Sequence, residues 1–163
     1  MDTLIDVPFY GDLILHVLHG GPFPDMVRAQ RLLLGTVAQE SQFTYTRQVG
    51  GGPARGLCQI ESATEVSLWA DYLAYQPALA AYITARCGRG GPDEQALEYD
   101  MIYGILLART LYHWRDPEPM PPVDDVEEAA SRWKLWYNTP AGAGTEQQYI
   151  ESYQRFVAPY FPL

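Results

Sequence analysis

The chain has 163 residues, 47% of them apolar, and a formal net charge of −9 at pH 7. That length suits one domain, residues 1–163, with a real core, and that composition excludes a disordered chain. Residues 91–163 hold 12 Asp and Glu against 5 Lys and Arg. Such a surface argues against nucleic-acid binding and against anionic membranes, but not against an uncharged polysaccharide.

Cys58 and Cys87 are too few for a disulfide framework; they read as free, buried thiols, although they are able to pair. The first residues, Met1-Asp2-Thr3-Leu4-Ile5-Asp6, are acidic where a signal peptide needs a basic start, so none is expected. No apolar run approaches the ~20 residues of a transmembrane helix, so membrane insertion is not expected.

The predicted elements are almost all helical. Leu13, Ile14, Val17 and Leu18 mark a short amphipathic helix ended by Gly20-Gly21-Pro22. Asp25 is placed to cap a mostly apolar helix through Val27, Leu32, Leu33, Leu34, Val37 and Ala38 into Glu40. Residues 44–56 read as a loop or short hairpin, with Thr44, Tyr45 and Thr46 as a weak β signal ahead of Gly50-Gly51-Gly52-Pro53. Ser62 or Thr64 starts a helix through Val66, Leu68, Trp69 and Leu73, stopping before Pro77. A further piece covers Ala78 to Arg86 and ends at Gly88. Asp93 caps one long helix from Leu97 to Trp114, which the Pro-rich run 116–122 terminates. Asp124 opens a helix through Val126, Ala129, Ala130, Trp133 and Trp136. Thr145 and Gln148 form a capping box for the last helix, which carries Tyr149, Ile150, Tyr153 and Phe156. The fold class is therefore all-α, with at most a small β-hairpin near 44–54.

Chemistry concentrates around Glu40. A carboxylic acid at the end of a buried helix is desolvated, which raises its pKa and keeps a proton available near neutral pH. Cleaving a glycosidic bond requires such an acid. The Gly-rich loop that follows permits close backbone approach to a ligand, and Gln59 offers both donors and acceptors to sugar hydroxyls. Tyr137 and Asn138 are a third element, with an aromatic face suited to packing on sugar rings. Each has a plain structural reading: a solvated helix-end Glu, a surface turn, a polar residue before a helix, an ordinary core Tyr. His16 and His19 share a helix face without a third ligand, so no metal is expected, and no cofactor motif is present.

The segments Ala38-Gln39-Glu40-Ser41-Gln42-Phe43, Ala54-Arg55-Gly56-Leu57-Cys58-Gln59-Ile60-Glu61-Ser62-Ala63-Thr64 and Trp136-Tyr137-Asn138 resemble the soluble lytic transglycosylases of the lysozyme-like superfamily. That family's pattern is Glu-Ser, a Gly-Leu-Met-Gln segment, an Ala-Thr helix start and a later Ala-Tyr-Asn. Here Cys58 stands for the methionine, Ser62 for a proline, and Trp136 and Thr139-Pro140 for smaller residues. The resemblance implies a lysozyme-like fold and Glu40 as sole acid/base, acting between N-acetylmuramic acid and N-acetylglucosamine in peptidoglycan. It implies substrate contacts from Ser41, Gly56, Leu57, Gln59, Tyr137 and Asn138, and no cofactor. Glu98 reads as an ion-pair residue or a catalytic helper. If the reaction is hydrolysis, Glu61 or Glu98 is the second carboxylate. The run Tyr137 to Thr145 is similar to lysozyme-like proteins of bacteriophage virions. This implies a tail or baseplate setting with other virion proteins as partners and action in the bacterial cell wall. The rival expectation is an inactive structural component of such a particle, with Trp136 and Pro140 closing the pocket.

Overall fold

The computed structural model describes residues 5–44 and 46–163; the start of the N-terminal run (Met1 to Leu4) and Tyr45 of the weak β signal lie outside the described residues. In chain order the helices are α1 (Val7–Leu18), α2 (Met26–Ser41), α3 (Ser62–Ser67), α4 (Pro77–Cys87), α5 (Glu94–Tyr99), α6 (Met101–Arg115), α7 (Val126–Arg132) and α8 (Glu146–Phe156). Strands β1 (Ala54–Arg55) and β2 (Ile60–Glu61) lie between α2 and α3. Two of the helices run on into wider π-helical turns, Leu68–Tyr72 after α3 and Trp133–Asn138 after α7.

α2 is the spine. Leu32, Leu33, Leu34, Val37 and Ala38 are each at most 2% exposed, which is what a helix apolar on nearly every side requires. α1 and α6 pack against it, and α8 crosses it with the Tyr149 hydroxyl donating to the Leu32 carbonyl at 3.1 Å. A single cluster of buried side chains extends from Val7 through α2 and α6 to Val157. The chain is thus all-α apart from the small sheet.

Several boundaries differ from expectation. α1 begins well before Leu13, because the Asp6 carboxylate accepts from the Phe9 N–H at 2.8 Å and Pro8 occupies the first turn. Asp25 does precede α2, but its backbone is left-handed (φ 55°) and its side chain caps nothing; a capping side chain needs extended backbone at that position. The long helix expected from Asp93 is broken in two. Asp93 caps α5, and Asp100 stops it with extended backbone and caps α6 through bonds from Ile102 N and Tyr103 N. Asp125 rather than Asp124 caps α7, and the Thr145–Gln148 capping box is present on α8.

The hairpin lies at 54–61, not 44–54. Ala54 pairs with Glu61 and Arg55 with Ile60, and Arg47 adds one isolated bridge to Arg55. The turn is at Gly56 and Gln59, both left-handed (φ 74° and 50°). Gly56 is required there: a Cβ would run into the Leu97 carbonyl oxygen.

Replacing Asp100 with Ala is expected to lower the unfolding free energy by about 1–2 kcal/mol in a denaturant titration, since two N–H groups lose their acceptor. Asp100→Asn keeps that acceptor and loses only a partly exposed pair with Arg89, so most of the stability should return.

Candidate active site

Glu40 lies in the last turn of α2, on the wall of an open groove of about 570 Å3. This is within the roughly 300–1,000 Å3 of small-molecule sites. One side is the hairpin, with Gln48, Ala54, Gln59, Ile60 and Glu61; the other is Leu111 and Arg115 of α6, then Tyr137, Asn138, Thr139 and Gly142. The lining is mostly polar, which suits a hydroxylated ligand more than an apolar one.

Residue Glu40 as a whole keeps partial exposure to the groove, but its carboxyl group is closely packed by protein. Desolvation pushes its pKa from the ordinary 4.5 up to about 7, opposed by a hydrogen bond from the Trp133 indole. That bond runs from Nε1 to Oε1 at 2.9 Å. No cation contributes to the balance, so the group is close to half protonated at neutral pH.

Trp133 is 1% exposed and is packed by two neighbours. Its ring lies against Tyr149, with centroids 5.6 Å apart. Gly144 also comes so close that a Cβ there would be 2.5 Å from the indole Cη2. Trp133 opens the π-helical turn, and the wider turn sets Tyr137 and Asn138 on the groove.

Tyr137 stacks on Tyr112 (5.3 Å between centroids) and donates its hydroxyl to the Cys58 carbonyl at 2.6 Å. Burial, then the charges of Cys58 and Glu40, raise its pKa well above the tyrosine range. It remains a neutral donor that ties the π turn to the Gly56–Gln59 turn. Asn138 accepts from Lys134 Nζ at 2.7 Å, and the same ammonium holds the Gly142 carbonyl at 2.8 Å. Asn138 thus braces the loop after it, and not Tyr137. Gln59 lines the groove and uses its amide N–H on the Gly56 carbonyl (2.7 Å); its amide oxygen has no hydrogen-bond partner among the described residues. Gln59 and Thr139 both hold positive φ, 50° and 71°; such a backbone is an outlier for a β-branched Thr and is typical of ligand sites.

Of the sequence candidates, Glu40, Gln59, Tyr137 and Asn138 are brought together. Ser41 is not: it is 0% exposed and its hydroxyl donates to the Val37 carbonyl of its own helix. One residue further along a helix turns a side chain by about 100°, which carries it off the groove face. Leu57 is 7% exposed and faces a separate apolar cavity of about 170 Å3, and Gly56 acts through its backbone against Leu97. Glu98 also lines that cavity, outside the groove. It takes a 2.7 Å ion pair from Arg47, whose guanidinium holds the carboxyl below the usual range. Glu61 stays on the groove at an exposed strand position.

Trp136 and Pro140 do not line the groove. The residues the sequence reading missed are Trp133, whose place in an apolar helical pattern reads as plain core, and Arg115. Cys58 is buried and Cys87 half-buried, and neither is bonded to the other. Among the described residues no group of three His, Cys, Asp or Glu is placed to hold a metal ion, and no helix is long and apolar enough to cross a membrane. Comparison with family models, characterised proteins and solved structures gave no match.

Two outcomes follow. Trp133→Phe removes the bond that favours the charged form, so the Glu40 pKa should rise above about 7 in a carboxyl NMR titration. Glu40's folded pKa lies above its ordinary 4.5, so the folded state holds the proton more tightly. Stability is then unpenalised below pH 4.5 and is lost as pH rises through about 7. Glu40→Gln keeps the acceptor for Trp133 and lacks the penalty. It should be more stable than wild type by up to about 3 kcal/mol at pH 8, with the gap closing near pH 4.5. Equal differences at both pH values in urea unfolding would count against a buried acid.

Proposed function

We propose that the protein is a peptidoglycan-cleaving lytic transglycosylase of lysozyme-like fold, acting on the β-1,4 bond between N-acetylmuramic acid and N-acetylglucosamine with Glu40 as general acid and then base. The observation that carries this reading is a single carboxyl group, raised to about 7 by burial, on the wall of an open polar groove.

In the first step protonated Glu40 gives its proton to the bridging O4 as the C1–O4 bond breaks. The carboxylate so formed takes the proton of the muramyl 6-hydroxyl, and O6 closes on C1. Glu40 ends protonated, no water is consumed and a 1,6-anhydro ring is formed. One residue does both tasks because its pKa lies near the working pH. Hydrolysis with inversion would need a second carboxylate about 6.5–9.5 Å away. Glu61 is the groove residue available for that role; Glu98 is committed to Arg47 in another cavity.

Gln59, Tyr137 and Asn138 line the wall beside which the sugar would lie, with Tyr137 held in place through its bond to the Cys58 carbonyl. The similarity of Tyr137 to Thr145 to virion-borne lysozyme-like proteins supports delivery by a bacteriophage tail or baseplate, with the cell wall as the site of action.

Purified peptidoglycan incubated with wild type should release anhydromuropeptides, identified by mass. Glu40→Gln should lose at least about a hundredfold in rate. The rate should fall roughly tenfold per pH unit above about 7, as the acid form of Glu40 is depleted. Reducing-end products would mean a hydrolase. No release by folded wild type would sink the enzymatic reading and leave the structural one.

A further inference from the structure

Arg115 ends α6 on the groove wall, and among the described residues it is the one Lys or Arg lining that groove. In a chain of net charge −9 this placement is informative. The side chain is half-buried and stands over the Trp114 ring, with its Cζ 5.7 Å from the ring centroid. One of its N–H groups donates to the Trp136 carbonyl at 3.2 Å. None of the ion pairs among the described residues includes it. The groove's own carboxylates are not its partners: Glu40 and Glu61 lie beyond ion-pair distance, and no influence of Arg115 enters the balance at Glu40. Burial lowers its pKa, with Tyr137 opposing.

A guanidinium has five N–H donors in a rigid fork matched to a carboxylate. Among the described residues one carbonyl occupies a single donor, so the fork keeps further donors beside a polar groove. A partly desolvated cation without an anion gains most from a ligand that brings one. We infer that Arg115 is an anion subsite of the groove, which receives a carboxylate carried by the glycan. This rests on the glycan-cleaving reading above. The carboxylate has two possible sources on such a strand, the lactyl group of the muramyl residue or the termini and side chains of an attached peptide. The subsite would make the groove selective for carboxylate-bearing strands over neutral N-acetylglucosamine oligomers, and would fix which sugar sits beside Glu40.

The test is calorimetric binding to the full chain carrying Glu40→Gln, which prevents turnover. The probes are glycan strands stripped of peptide, strands with peptide attached, and each of these with its carboxylates converted to methylamides. Free carboxylates should bind roughly tenfold tighter than their methylamides. A preference in stripped strands identifies the lactyl group; one seen only with peptide attached identifies the peptide. Adding Arg115→Gln should abolish the preference, and Arg115→Lys should restore part of it. The comparison of free and blocked strands needs no change at Arg115, so it stands even if Arg115→Gln fails to fold. Equal affinity for free and blocked strands overturns the inference while leaving the glycan reading intact. If the folded Glu40→Gln protein binds none of the strands, the glycan reading fails and the subsite with it.

Discussion

Keeping the Glu40 carboxyl out of water, with one indole N–H as its compensation, is the constraint on which the rest of the arrangement depends. A buried acid needs a fixed partner, and the partner lies 93 residues away in sequence. Trp133 can serve only if α7 and α8 are seated on α2. That seating rests on Tyr149, which packs on Trp133 and bonds the Leu32 carbonyl in the helix that carries Glu40. The site is therefore assembled by the core, and not by a loop laid over it.

The opposite wall is built from short segments with little regular structure, and it is held by specific ties. Tyr137 reaches across to the Cys58 carbonyl. Gly56 presses its backbone on Leu97, and Arg47 pairs with Glu98 at the outer edge of the same hairpin. These contacts fix the Gly56–Gln59 turn relative to α5 while keeping Gln59 on the groove. The left-handed residues Gln59 and Thr139 on the two walls suggest that backbone comfort is sacrificed there to place polar groups.

Helix content was legible because apolar spacing and punctuation agree: the Pro-rich run after α6, the capping box of α8 and Gly88 after α4 all mark real ends. The failures have local causes. Asp100 reads as an ordinary polar residue within a periodic run, yet its side chain caps so well that the helix restarts there. Asp25 has the right chemistry for a cap and the wrong backbone. At the site, Glu40, Gln59, Tyr137 and Asn138 were legible as a constellation by residue type and order. Whether a neighbour such as Ser41 faces the groove depends on helix rotation, and the partnership of Trp133 with Glu40 depends on how distant helices pack. Neither leaves a local trace in sequence.

The π turn at Trp133–Asn138 has a bearing on how this groove tolerates change in chain length. A π turn holds one residue more than an α turn would. Deleting a single residue inside it would let the segment relax into a plain α-helix with its hydrogen bonds intact. Because the extra residue is absorbed within the turn, the residues beyond the deletion would keep nearly the same facing around the axis. Trp133 would still face Glu40, and Tyr137 and Asn138 would stay near the wall, whereas the same deletion in α7 would turn Trp133, Tyr137 and Asn138 together by about 100°. A one-residue deletion is thus absorbed inside this turn and disruptive one turn earlier.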